Sequence, residues 1–154
     1  MSLSGQQQLY QQLILDHGKA RHGAVSPLPA ITDADVVESH QLNPTCGDEV
    51  TVRVTLGDAD VVQQLQWWGD GCTIAMAAAS VLHDTVTGTS PAEATALVAT
   101  FRAMLQSRGA AEPDEEVLGD AAAFVGVSRY PARIKCAMLS WVAFEHAVSS
   151  AGAR

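Results

Sequence analysis

Asp48-Glu49-Val50-Thr51-Val52-Arg53-Val54-Thr55-Leu56-Gly57-Asp58-Ala59-Asp60-Val61-Val62-Gln63-Gln64-Leu65-Gln66-Trp67-Trp68-Gly69-Asp70-Gly71 decides the fold. Val50, Val52, Val54 and Leu56 alternate with Thr51, Arg53 and Thr55, the period of two that marks a half-buried strand. Gly57-Asp58-Ala59-Asp60 reads as a hairpin turn. Residues 61–68 read as the return strand, stopped by Gly69-Asp70-Gly71. Trp67 and Trp68 are adjacent and so point to opposite faces, one into the core and one half-exposed and suited to a protein interface. Upstream, residues 36–42 form a further strand, joined to the first by the turn Asn43-Pro44-Thr45-Cys46-Gly47-Asp48.

Outside these three strands the patterning is helical. Ser4-Gly5-Gln6-Gln7 is a capping box opening a helix that carries Leu9, Leu13 and Ile14 and ends near Gly23. Residues 24–35, with Pro27 and Pro29, read as loop. Residues 72–87 are alanine-rich and uncharged until Asp84, which predicts a buried helix with Cys72 at its N-terminus. Ser90-Pro91-Ala92-Glu93 is a second capping box, and its helix runs to about Ser107. After a loop at 109–114, residues 115–125 read as a short acidic helix or a partly mobile segment. Ser128-Arg129-Tyr130-Pro131 opens the last helix, with Ile134, Met138, Trp141, Val142 and Phe144 on its buried face. Strands followed by helices predict an α+β fold: a three-stranded antiparallel sheet with helices packed on one face, residues 1–154 forming one domain.

The chain has 154 residues and a formal net charge of −8, with a sequence pI near 4.9. That balance disfavours nucleic acid, which needs a basic footprint, and suits a basic protein partner or a bound cation. Met1-Ser2-Leu3-Ser4-Gly5-Gln6 has neither a basic nor an apolar signal region, and no apolar run approaches the length of a membrane span. A cytoplasmic protein is expected, in a compartment where thiols stay reduced.

There are three cysteines, Cys46, Cys72 and Cys136. An odd number cannot all pair internally, and their glycine, proline and carboxylate neighbours mark metal ligands or nucleophiles. With Asp48 they supply three thiolates and one oxygen, a complete tetrahedral zinc set. Isolated cysteines are otherwise small buried hydrophobes. In a three-stranded meander the start of the second strand and the end of the third share one end of the sheet. Topology therefore brings Cys46, Asp48 and Cys72 together, and Cys136 joins them if the last helix packs across that end. At that helix N-terminus the macrodipole favours a Cys72 thiolate. Arg133, three residues before Cys136, is placed to lower a thiol pKa or to pair with Asp48 when no metal is bound, against the plainer reading of a surface arginine. Gly69-Asp70-Gly71-Cys72 lacks the Lys-Ser/Thr of a phosphate loop, and Asp70 reads as a turn residue. His17, His22, His40, His83 and His146 do not cluster along the sequence, and each reads as structural or solvent-exposed, although partners need only meet in space.

At these residues the chain resembles the SufU-type iron–sulfur assembly proteins, within the wider IscU/NifU N-terminal group. Leu9-Tyr10 with Asp16-His17 resembles the family's opening helix, and Asn43-Pro44-Thr45-Cys46-Gly47-Asp48 its Asn-Pro-x-Cys-Gly-Asp signature. Gly69-Asp70-Gly71-Cys72 is similar to its Gly-x-Gly-Cys motif, and Pro131-Ala132-Arg133-Ile134-Lys135-Cys136 to its Pro-x-Arg-x-Lys-Cys segment. Lys135, where IscU proteins carry histidine, favours the SufU branch. So do the lack of a Leu-Pro-Pro-Val-Lys chaperone motif and an insertion at 109–127. Thr73-Ile74-Ala75-Met76 departs from the usual Ala-Ile-Ser at positions that bind nothing.

The resemblance implies zinc on Cys46, Asp48, Cys72 and Cys136, with Cys46 accepting persulfide sulfur from a PLP-dependent cysteine desulfurase of the SufS type. It also implies downstream Suf assembly proteins as later partners. Two other readings stay open: a scaffold assembling a [2Fe–2S] iron–sulfur cluster on the same ligands, and an interaction module with a purely structural zinc.

Overall fold

The computed structural model describes residues 4–57 and 60–152. The helix α1, Gly5–Ala20, starts at the expected capping box: Ser4 accepts from the Gln7 amide, and the Gln7 side chain accepts from the Ser4 amide. It stops earlier than Gly23, because Arg21 takes the left-handed conformation (φ 49°) and closes the helix with its own amide on His17.

Three strands follow, β1 (Val36–Asn43), β2 (Asp48–Leu56) and β3 (Val62–Asp70), antiparallel in the order β1-β2-β3. Residues 58 and 59 of the expected hairpin turn lie outside the described residues. Val52 pairs with Trp67, and Val54 with both Val37 and Leu65, so the alternating residues of all three strands make one buried face. The helices cover that face: α5 (Pro131–Gly152) lies on β1 and β2, and α2 (Thr73–Val86) packs against β3 and α5.

The opposite face is less open than the alternation predicts. Val25 donates to the Trp67 carbonyl at the outer edge of β3, and Leu56 donates to Asp35 just before β1 begins. Between these points, the Pro29 carbonyl accepts from Arg53 in the central strand. Residues 24–35 thus cross the sheet and bury Arg53, whose guanidinium also holds Glu38 at 2.7 Å. Trp67 is fully buried and Trp68 is 42% exposed, the opposite-facing pair the sequence predicts.

The helix α3, Pro91–Gln106, begins at Ser90, which accepts from the Glu93 amide. The return bond from Glu93 does not form among the described residues, so only half of the second capping box is made. The largest departure lies at 115–129. The helix α4 has one turn, Glu115–Leu118, and runs into a 3-10 helix, Gly119–Arg129. This segment is packed rather than loose: Ala121, Ala122 and Phe124 are fully buried, and Phe124 meets Phe101 edge-on at 5.7 Å. Phe101 stacks on Trp141 of α5 at 3.9 Å, so the segment belongs to the main core. No helix among the described residues is long and apolar enough to cross a membrane.

Candidate metal centre

The site sits at the end of the sheet where the β1–β2 turn and the exit of β3 meet α2, beneath the first turns of α5. Asn43 shapes the turn: its carbonyl accepts from the Gly47 amide at 2.8 Å and its side chain from Thr45. Gly47 completes it at φ +74°, a conformation glycine adopts without strain. This lifts Cys46 to the exposed rim and turns Asp48 inward, where it is only 3% exposed.

One carboxylate oxygen of Asp48 accepts from the Cys72 amide at 3.0 Å, and the other lies 3.6 Å from the Cys72 sulfur. The approach is so close that a Cβ on Gly71 would fall 2.5 Å from Asp48 Oδ1, which explains the glycine before Cys72. Cys72 is the N-cap of α2, its Sγ accepting from the Ala75 amide at 3.4 Å. Cys136 arrives from α5, with its sulfur 3.7 Å from that of Cys46 and its thiol donating to the Ala132 carbonyl. Burial, then the Asp48 carboxylate and the neighbouring Cys46 and Cys72, pushes the Cys136 thiol far above its ordinary range.

The structure therefore brings together all four residues that the sequence singles out. Donor atoms of Cys46, Asp48 and Cys136 lie within 4.8 Å of one another, and Cys72 joins through Asp48. Arg133 lines the same cleft of about 1160 Å³. Its guanidinium rests 5.0 Å over the Tyr130 ring, and it forms no ion pair with Asp48 among the described residues.

Cys46, Asp48 and Cys136 are spaced to hold a zinc ion, and Cys72, which lies outside that 4.8 Å group but beside Asp48, would close in to complete the set. Metal–sulfur bonds of about 2.3 Å and metal–oxygen bonds of about 2.0 Å make tetrahedral edges of roughly 3.8 Å between sulfurs and 3.5 Å between sulfur and oxygen. The observed separations are 3.7 Å for Cys46–Cys136 and 3.6 Å for Asp48–Cys72. Asp48 is moreover a buried carboxylate with no cationic side chain against it among the described residues, an arrangement that a bound cation relieves.

Residues 9–137 match the NifU-like N terminal domain. The chain belongs to that family. Within the NifU-like group it is 40% identical over 143 residues to the zinc-dependent sulfurtransferase SufU of Bacillus subtilis, covering 92% of this chain and 90% of that one. It is 39% identical over 151 residues to the iron–sulfur cluster assembly scaffold protein IscU of Streptococcus pyogenes serotype M1, covering 96% and 87%. The crystal structure of a SUF-system assembly scaffold protein from Fervidobacterium islandicum AW-1 superposes with a TM-score of 0.73 at 30% identity, over 94% of this chain and 99% of that one. These likenesses establish the expected family and its α+β fold.

Sequence order hid a second cluster. His17 and His22 of the α1 end and His83-Asp84 of α2 converge, with Asp120 from the 3-10 helix. His17 reaches Ser80 and His22 reaches Asp84 only because α1 packs on α2, and no spacing in the chain announces that.

Proposed function

We propose that this NifU-like chain is a zinc-dependent sulfur acceptor, a sulfurtransferase that takes persulfide sulfur from a PLP-dependent cysteine desulfurase of the SufS type for iron–sulfur cluster assembly. The observation that carries this reading is the unequal exposure of two neighbouring thiols. Cys46 stands exposed on a glycine turn while Cys136, 3.7 Å away, is buried. Cys72 is exposed as well, but it caps α2 with its sulfur held by the Ala75 amide and beside Asp48, so Cys46 on its open turn is the sulfur offered to an incoming donor.

Zinc on Cys46, Asp48, Cys72 and Cys136 would keep the thiols deprotonated at neutral pH. The Cys46 thiolate attacks the outer sulfur of the donor persulfide. The donor S–S bond breaks, its electron pair leaves on the donor cysteine as thiolate, and a new S–S bond forms on Cys46. The transfer needs no external oxidant or reductant. Exposed Lys135 shares a small hollow with Cys46, where its ammonium favours an anionic persulfide. Arg133 adds a second cation to the larger cleft. The whole chain 1–154 acts as one domain, in the reducing cytoplasm its free thiols suit, and passes sulfur to downstream Suf assembly proteins.

Overall similarity does not separate this reading from a [2Fe–2S] scaffold, because the relatives named SufU and IscU are about equally alike. Lys135 before Cys136 favours the acceptor. The deciding experiment is desulfurase turnover with the zinc-loaded chain, the metal-free chain and Cys46→Ala. Strong stimulation by the first alone is expected. No stimulation by the loaded chain with a matched desulfurase overturns the reading. A brown, sulfide-containing protein after anaerobic purification would put the scaffold in its place. If Cys46→Ala lost only stability, the zinc would be structural.

A further inference from the structure

We propose that His17, His22 and Asp84 form a second divalent-metal site, built of nitrogen and oxygen donors and separate from the cysteines. One ligand atom from each lies within 4.8 Å of the other two. His22 Nδ1 is 2.7 Å from Asp84 Oδ2, and the two imidazole rings meet edge-on with centroids 5.1 Å apart.

The surroundings orient these donors as a ligand set requires. His17 is 5% exposed, and its Nε2 lies 2.9 Å from Asp120 Oδ2. A carboxylate only accepts, so Nε2 carries a proton, and in the neutral ring Nδ1 then holds the lone pair. Carboxylate–imidazole pairing of this kind fixes ring orientation and tautomer in metal sites. In the ion-free chain, Nδ1 takes a hydrogen bond at 2.8 Å from Ser80, whose oxygen in turn accepts from the His22 amide. Rotation of that one hydroxyl frees Nδ1. On the other side, His83 Nδ1 lies 3.0 Å from Asp84 Oδ1, which leaves Oδ2 facing His22. The ion replaces the proton that His22 now shares with Asp84.

Two imidazoles and one carboxylate select zinc or a similar transition ion over calcium or magnesium, which prefer all-oxygen shells. The site joins the end of α1 to α2. It does not depend on the sulfur-acceptor reading, since none of its residues belongs to the cysteine centre.

The test compares the metal-free full chain with a His22→Ala/Asp84→Asn double variant, each titrated with zinc and assayed for bound metal after desalting. Both replaced side chains are about half-exposed, at 46% and 40%, so the variant is expected to fold, and thermal melting of the metal-free forms checks it. The wild type should retain one more ion per chain than the variant. With cobalt(II), that extra ion should absorb without a sulfur-to-metal charge-transfer band. Equal metal content in the two chains overturns the site. If the variant misfolds, the wild type decides alone: the imidazole resonances of His17 and His22 must move as zinc is added, and their failure to move overturns the site.

Discussion

A methyl group at residue 71 would collide with the Asp48 carboxylate at 2.5 Å, whereas one at residue 47 would meet nothing within 4 Å. The two glycines of the site therefore answer to different constraints. Gly71→Ala should displace Asp48 and weaken zinc binding by about 10–100-fold, the range for lost support of a ligand, as read by competition with a chelator. Gly47→Ala should cost about 1 kcal/mol through its positive φ, read by urea unfolding, and leave zinc affinity closer to normal. Arg133→Ala should slow sulfur transfer while zinc content stays unchanged, because the guanidinium rests on Tyr130 and not on a proposed ligand. The cysteine centre was legible at this scale because thiols, a carboxylate and glycines are rare company in tight turns. The histidines carried no such mark. Their meaning depends on Asp84 and Asp120, which lie 62 and 103 residues away from His22 and His17.

The strands and long helices were legible for a different reason. A period of two in β2 and capping residues at Ser4 and Ser90 are local signals, and local physics decided those elements. The 3-10 helix Gly119–Arg129 has no such signal. Ala121-Ala122-Ala123 suits helix, Gly119 and Gly126 suit loop, and the outcome rests on Phe124 packing against Phe101 and on Asp120 reaching His17. Ser80 underlies that last contact, being fully buried with its oxygen shared between His17 and the His22 amide. Ser80→Ala should destabilise the protein by about 1–3 kcal/mol, since it leaves the buried His17 ring nitrogen unpaired and removes the partner of the part-buried His22 amide. Faster amide hydrogen exchange should follow in 119–129 and at the end of α1. Burial of Arg53 is the matching lesson in the sheet, since no strand pattern reveals that residues 24–35 cross its outer face.

Across the molecule, α3 is fastened to α5 by Arg102, which grips Glu145 through two hydrogen bonds of 2.7 and 3.1 Å. The guanidinium holds the Glu145 carboxyl below its ordinary value of 4.5, against the opposing effect of burial. A carboxyl lowered in the folded state stabilises above its unfolded pKa, and that contribution is lost as pH falls through the lowered value. Glu145→Gln should therefore cost about 1 kcal/mol at neutral pH for this partly exposed pair. The gap to wild type should close as unfolding is repeated at pH values progressively below 4.5. The proposed zinc ligands reach across the same fold, from Cys46 to Cys136, 90 residues apart. During synthesis, Cys46, Asp48 and Cys72 leave the ribosome well before Cys136 exists. A half-made chain thus exposes two thiols that no complete site protects. Zinc would enter only after α5 docks, and a hundredfold excess over its dissociation constant would then add about 2.7 kcal/mol to the finished protein alone. Metal loading would act as a check that translation has reached its last helix.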